Sequence, residues 1–135
     1  MKNRVFLDSN IFLYALSSQN DRKHTIAQKL VLNGGFISTQ VINEVSVNLL
    51  KKFKLPNEDI ENFVNSCYKR YEVINLDRAT FLNAVKLRDR YNFSYFDSLI
   101  VSASLMSNFN ILYSEDMQNS LIVENRLVIK NPFFL

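Results

Sequence analysis

Arg4-Val5-Phe6-Leu7-Asp8-Ser9-Asn10 is the stretch on which the fold turns. A short apolar run stops at an acid followed by polar, turn-forming residues, and reads as a buried strand ending at Asp8. Working outward, Asn10 to Leu16 reads as a first helical stretch. Asp21 is placed to cap a second helix through Leu30 to Leu32, with Asn33-Gly34-Gly35 as its stop. Phe36-Ile37 gives a brief second strand. Ser38 or Thr39 caps the next helix, whose Ile42, Val45, Leu49 and Phe53 recur at helical spacing until Leu55-Pro56 ends it. Asn57 is expected to cap a fourth helix containing Ile60, Val64 and Cys67, with Glu58, Asp59 and Glu61 in the first turn, where the helix dipole favours negative charge. Val73 to Leu76 reads as a third strand. A fifth helix starts near Asp77 and carries Phe81, Ala84, Val85 and Leu87 towards Arg90. A sixth, from Tyr95 to Ser107, is apolar nearly all round in Phe96, Leu99, Ile100, Val101, Ala103 and Leu105, as a buried central helix is. Ile111-Leu112-Tyr113 and Leu127-Val128-Ile129 give a fourth and a fifth strand. Strands alternating with helices need crossover connections, so the expectation is an α/β fold, a three-layer α/β/α sandwich around a central, mostly parallel sheet.

Composition agrees with that class. The chain has 135 residues, 47% hydrophobic and 21% charged, average values that exclude disordered and fibrous architectures. A chain of this length buries about two-thirds of its unfolded surface, so one domain over residues 1–135 is expected. Two Gly and two Pro leave little for hairpin turns and favour helices joined by short connections. The single Cys67 forms no intramolecular bridge, which suits a reducing, cytoplasmic compartment. The opening Met1-Lys2-Asn3-Arg4 leads into an apolar stretch broken at Asp8, neither a signal peptide nor a membrane span. A net charge of +3 allows a polyanionic partner without demanding one.

Sites in open α/β sheets form outside the carboxyl ends of the strands. Asp8 follows the first strand and Ser114-Glu115-Asp116 the fourth. Glu44 lies early in the helix after the second strand, and Asp97 in the first turn of the sixth helix. All four positions point to one sheet edge. Each acid alone has an ordinary explanation: Ser94-Tyr95-Phe96-Asp97 as a variant capping box, Glu44 as a solvent-facing helical residue, Asp8-Ser9-Asn10 and Ser114-Glu115-Asp116 as helix starts. Together they form a cluster of like charge that needs a cation or protons. Oxygen donors alone suit Mg²⁺ or Mn²⁺, whereas zinc would call for His and Cys. His24, after Arg22-Lys23, reads as a solvated surface residue, and Cys67 lies mid-helix.

The run Val5 to Asn10, the acid in Val41-Ile42-Asn43-Glu44, Tyr95-Phe96-Asp97-Ser98-Leu99-Ile100 before Ala103, and Ile111-Leu112-Tyr113-Ser114-Glu115-Asp116 together resemble the PIN-domain nucleases, over nearly the whole chain. The VapC-type toxins of toxin–antitoxin systems look most similar. The resemblance implies an acidic pocket holding one or two Mg²⁺ or Mn²⁺ ions and cleaving RNA. Asp8, Glu44, Asp97 and Asp116 carry over as its catalytic, metal-site acids, with Asn10 and Ser114 supporting the pocket. Glu115 is adjacent to Asp116 and either points to solvent or assists the metal; only the family register prefers Asp116. Leu127 to Pro132 fits the closing strand and Asn-Pro of the family. The partners implied are an RNA substrate and a cognate antitoxin.

RNA would be held through its phosphates, with Lys51-Lys52-Phe53-Lys54, Lys69-Arg70, and Arg88 with Arg90 as candidates beside their ordinary role as solvated faces. Ile11, Phe12, Leu13 and Tyr14, with Phe53 and Phe63, exceed what one helix face needs, and serve either the core or a homodimer or antitoxin contact. Two other classes compete. A phosphoaspartyl hydrolase also places an Asp after its first strand, but haloacid-dehalogenase-type enzymes need a second Asp where Asn10 stands, and receiver domains need an acidic pair and a late Lys that are not evident. A non-catalytic PIN-like binding module of RNA or protein would be marked by loss of a metal-site acid, and all four are present.

Overall fold

A computed structural model describes residues 4–134. Its elements run β1 (Phe6–Leu7), α1 (Ser9–Leu16), α2 (Asp21–Leu32), β2 (Gly35–Ser38), α3 (Thr39–Lys51), α4 (Asn57–Arg70), β3 (Tyr71–Ile74), α5 (Arg78–Tyr91), α6 (Tyr95–Met106), β4 (Ile111–Tyr113), β5 (Ile122–Val123) and β6 (Leu127–Lys130). The six strands form one sheet in the order β3-β2-β1-β4-β6-β5. Every pairing is parallel except that of β5 with β6. Helices flank this mostly parallel sheet, giving the three-layer α/β/α sandwich expected. Among the described residues no helix is long and apolar enough to cross a membrane.

The central strand β1 is short because its apolar run is short, and both residues are fully buried. Phe6 pairs with Phe36 on one side and Leu112 on the other. Pairing continues past the strand, since the Asp8 N–H donates to the Tyr113 carbonyl at 3.0 Å. From β1 the chain winds one way to β2 and β3, and later the other way through β4 to β6. The order therefore reverses between β1 and β4, and a crevice opens outside their carboxyl ends. Beneath it, the Phe109 ring lies 5.6 Å from Phe6 and 4.3 Å from Phe36. The helix α6 is buried without interruption from Ser98 to Leu105, as its all-round apolarity predicts.

Several local expectations are corrected. The fold contains a sixth strand, β5. It is joined to β6 by a tight turn in which Glu124 and Asn125 both take positive φ, as a type I′ turn requires. The α2 cap is Asn20, whose side chain accepts from the Lys23 N–H at 3.1 Å, and Asp21 is the first helical residue. Pro56, without a side-chain bond, stands at the α4 cap position expected of Asn57. The third strand begins at Tyr71, directly from α4, and ends at Ile74 rather than Leu76. Its start is fixed by the buried Tyr71, whose hydroxyl donates to the Val31 carbonyl. The helix α3 closes at Lys51, short of Phe53, where Lys54 turns the chain at positive φ. On α5 the buried face is Thr80, Ala84 and Leu87, while Phe81 and Val85 are exposed, as is Phe96 on α6. Ser114-Glu115-Asp116 starts no helix; it opens an irregular loop.

Candidate active site

Asp8 leaves β1 at the reversal of strand order and caps α1. It is only 2% exposed. One carboxylate oxygen, Oδ1, accepts from the Ser9 N–H at 2.7 Å, and Oδ2 accepts from the Ser114 hydroxyl at 2.6 Å. Ser114 is itself fully buried at the end of β4. Burial pushes the Asp8 carboxyl up to about 7; the hydrogen bonds from Ser114 and Ser9 oppose this, and the negative charges of Glu44 and Asp97 add to it.

Glu44 reaches the same edge from α3. Its Oε1 accepts from the Ser9 hydroxyl at 2.9 Å and its Oε2 from Gln40 Nε2 at 3.1 Å. Ser9 thus touches both Asp8 and Glu44. Ser9 and Gln40 were not among the residues singled out from sequence; a small hydroxyl one position after the acid, and an amide one helical turn before Glu44, were the available signals.

Asp97 stands in the first turn of α6, where Ser94 caps the helix by accepting from its N–H at 3.2 Å. The capping reading of Ser94 therefore holds, and it leaves the Asp97 carboxylate available. Burial raises that carboxyl, opposed by the Ser94 hydrogen bond, with Glu44 and Asp116 adding to the rise. Asp116, in the loop after β4, is exposed and accepts from Asn10 Nδ2 at 3.1 Å. The Asn10 Oδ1 in turn accepts from the Glu115 N–H at 3.3 Å.

The Glu115 side chain takes a different direction from Asp116. It receives the Tyr14 hydroxyl at 2.6 Å and an ion pair from Lys23, and is half-buried along the same cleft as Asp116. That carboxylate, through its hydrogen bond, raises both the Tyr14 phenol and the Lys23 ammonium. From sequence Tyr14 reads only as a core or partner-contact residue and Lys23 takes no role, because the pairing joins α1 and α2 to a loop 101 and 92 positions away.

The structure thus gathers Asp8, Glu44, Asp97 and Asp116 from four separate elements around one rim, coupled by charge and by Ser9, Asn10 and Ser114. Among the described residues no three acidic, His or Cys side chains close into a ready metal cage. The donor set nevertheless fits a hard divalent cation. It is all oxygen, and burial together with the neighbouring carboxylates raises the Asp8 and Asp97 carboxyls, a cost that a bound cation would offset. His24 is half-buried rather than solvated, with Nδ1 3.0 Å from the Tyr14 carbonyl. Cys67 is buried in the core, and desolvation pushes its thiol to about 12.

A cleft of about 260 Å³ runs from the rim, lined by Asn10, Leu13, Tyr14, Ser17, Lys52 and Asp116 among others. Of the basic candidates named from sequence, Lys52 lines this cleft together with Asp116. Arg90 is paired with Glu124 at 2.6 Å, and Lys69 and Arg88 are exposed away from the cleft lining. A larger cavity of about 520 Å³ is apolar and contains none of the four acids; Phe12, Phe53 and Phe63 line it. Ile11 and Phe12, considered for a partner surface, are core residues at 0% and 4% exposure. The exposed apolar side chains lie instead at positions such as Val47, Leu50, Leu82 and Val85.

Comparison with known proteins agrees with this geometry. The family model of the PIN domain matches residues 5–120. No curated protein matches the chain in sequence. Among solved structures, a toxin–antitoxin complex from Klebsiella pneumoniae is similar at 18% identity and TM-score 0.68, covering 95% of this chain and 97% of that one. VapC20 of Mycobacterium tuberculosis, a sarcin–ricin-loop-cleaving toxin, is similar at 14% identity and TM-score 0.69, covering 83% of this chain and 89% of its own. VapBC2 from Rickettsia felis, bound to a promoter DNA fragment, is similar at 20% identity and TM-score 0.67, covering 94% and 97%. At these identities the likeness is one of fold.

Proposed function

Because the chain belongs to the PIN domain family, we propose that it is a metal-dependent endoribonuclease, the toxin of a toxin–antitoxin pair. The observation that carries this reading is the convergence of Asp8, Glu44, Asp97 and Asp116 at the crevice between β1 and β4, with Asp8 driven to about 7 chiefly by burial and further by the charges of Glu44 and Asp97. Those four carboxylates would hold Mg²⁺ or Mn²⁺. When bound, such an ion supplies Lewis-acid stabilisation of the phosphate and a more acidic water. The protein residues do the positioning. Ser9 and Ser114 keep Asp8 oriented by donating to its two oxygens, and Gln40 and Ser9 do the same for Glu44. Asn10 sets Asp116. Lys52, along the cleft, is placed to meet the phosphates of a strand whose scissile bond lies at the rim. No side chain here needs to act as a nucleophile.

A protein antitoxin is the partner proposed, since two of the similar structures are toxin–antitoxin assemblies. The nuclease reading is tested by incubating the purified chain with a mixed pool of structured RNAs in Mg²⁺, Mn²⁺ or EDTA, beside Asp97→Asn. Cleavage should require the metal. It should fall in the variant by more than the roughly 10–100-fold that loss of an outer partner of a metal site brings. Metal-independent cleavage, or full activity in Asp97→Asn, would refute it.

A further inference from the structure

Glu115 and Asp116 are adjacent acids after one strand and line one cleft, yet they take different partners: Tyr14 and Lys23 for Glu115, Asn10 for Asp116. The division between them is built by α1, α2 and the C-terminal turn. Lys23 lies in the first turns of α2, held by the Asn20 cap. Its ammonium sits 4.9 Å from the Tyr14 ring and 5.8 Å from the Phe133 ring. Phe133 is buried, stacks edge-on against Tyr14 at 5.0 Å, and its carbonyl accepts from Arg22 at 2.7 Å. Lys23 and the Tyr14 hydroxyl together occupy both oxygens of Glu115.

The consequence runs through Asn10. The Glu115 backbone N–H can only donate, so Asn10 must turn its carbonyl oxygen towards it, and the amide NH₂ is left to face Asp116. Holding the Glu115 side chain adds to the hold on its backbone that the Ser114 N–H begins by donating to the Lys130 carbonyl at 2.9 Å; that backbone orients Asn10, and Asn10 orients Asp116. Neutralising Glu115 with Lys23 also keeps a second carboxylate from swinging to the rim. We propose that Lys23, Tyr14 and Glu115 form a positioning unit that acts through Asn10 to set the Asp116 carboxylate towards the site. This rests on the metal-site reading of Asp116, while its geometric core, the locked Asn10 amide, does not.

The test therefore has two readouts on the native chain, Lys23→Met and Lys23→Arg, with the remaining amide spectrum as the control for folding. In metal-free protein the Asn10 side-chain amide resonances should lie away from those of a solvated Asn. They should move towards solvated values in Lys23→Met and return in Lys23→Arg. Affinity for Mn²⁺, measured from the free-ion electron paramagnetic resonance signal, should fall about tenfold in Lys23→Met and recover in Lys23→Arg. An unmoved Asn10 signal in folded Lys23→Met overturns the positioning unit, as does native Mn²⁺ affinity in that variant. Failure of the native chain to bind Mn²⁺ would instead strike the metal-site reading, with the Asn10 signal still deciding the unit.

Discussion

Asp8 is asked to be buried and charged at once, and its protonation records the conflict. An unfolded carboxyl titrates near 3.8, and in the folded metal-free chain Asp8 is pushed up to about 7. Between those values the folded state holds a proton that the unfolded state has lost, so stability must fall as pH rises from about 4 to about 7 and level off above. The span corresponds to at most on the order of 4 kcal/mol. Asp8→Asn should flatten this slope and be the more stable protein at pH 8 in EDTA, since the Ser114 hydroxyl can rotate to accept from the new amide. Added Mn²⁺ should reverse the order by stabilising only the native chain. Thermal unfolding at pH 5 and pH 8 measures both effects, and parallel pH profiles for the two proteins would contradict them. Asp8, Asn10 and Ser114 could be singled out from sequence because each lies within three residues of a strand end, where chain direction alone aims the side chain. Ser9 and Gln40 lie equally close to strand ends and did not stand out, since a Ser and a Gln in the first turn of a helix have ordinary roles there; Tyr14 and Lys23 could not be singled out, because their roles depend on which distant elements meet.

Among the elements, α6 shows most plainly how tight packing governs polar groups. Its serines at 98, 102 and 104 are fully buried. Ser102 donates to the Thr80 carbonyl at 2.8 Å and receives Asn83 at 3.1 Å, tying α6 to α5. Ser104 Oγ has no hydrogen-bond partner among the described residues. Removing a bonded and an unbonded buried hydroxyl should therefore differ in sign: Ser102→Ala should destabilise by about 1–2 kcal/mol, and Ser104→Ala should be neutral or stabilising by about 1 kcal/mol. Urea unfolding of the two variants measures this, and equal losses would contradict it. The helix itself was legible because its apolarity goes all the way round. The α5 face was legible in part: Ala84 and Leu87 are buried as expected, whereas Phe81 and Val85 recur at helical spacing but are exposed, and Thr80 completes the buried face. The strand β5 was missed because its turn places Glu124 and Asn125, not Asn-Gly, at positive φ.

At the scale of the whole molecule, one topological event places the chemistry: the chain leaves β1 in one direction and returns beside it as β4. The order of strands and helices was readable from hydrophobic period, and with it the edge at which Asp8 and Asp116 emerge. The sheet order itself, and so the depth at which Asp8 is buried, emerges only when β4 pairs with β1 across about a hundred residues. The central claim is that Asp8, Glu44, Asp97 and Asp116 hold a divalent cation. Crystals soaked in Mn²⁺ and measured for its anomalous scattering test this most directly. The account predicts a peak at the crevice within bonding distance of Asp8 and of at least one other of the four carboxylates, about 2.0–2.3 Å for a hard cation on oxygen. A saturating soak that leaves this crevice without a peak while Mn²⁺ orders elsewhere would contradict it.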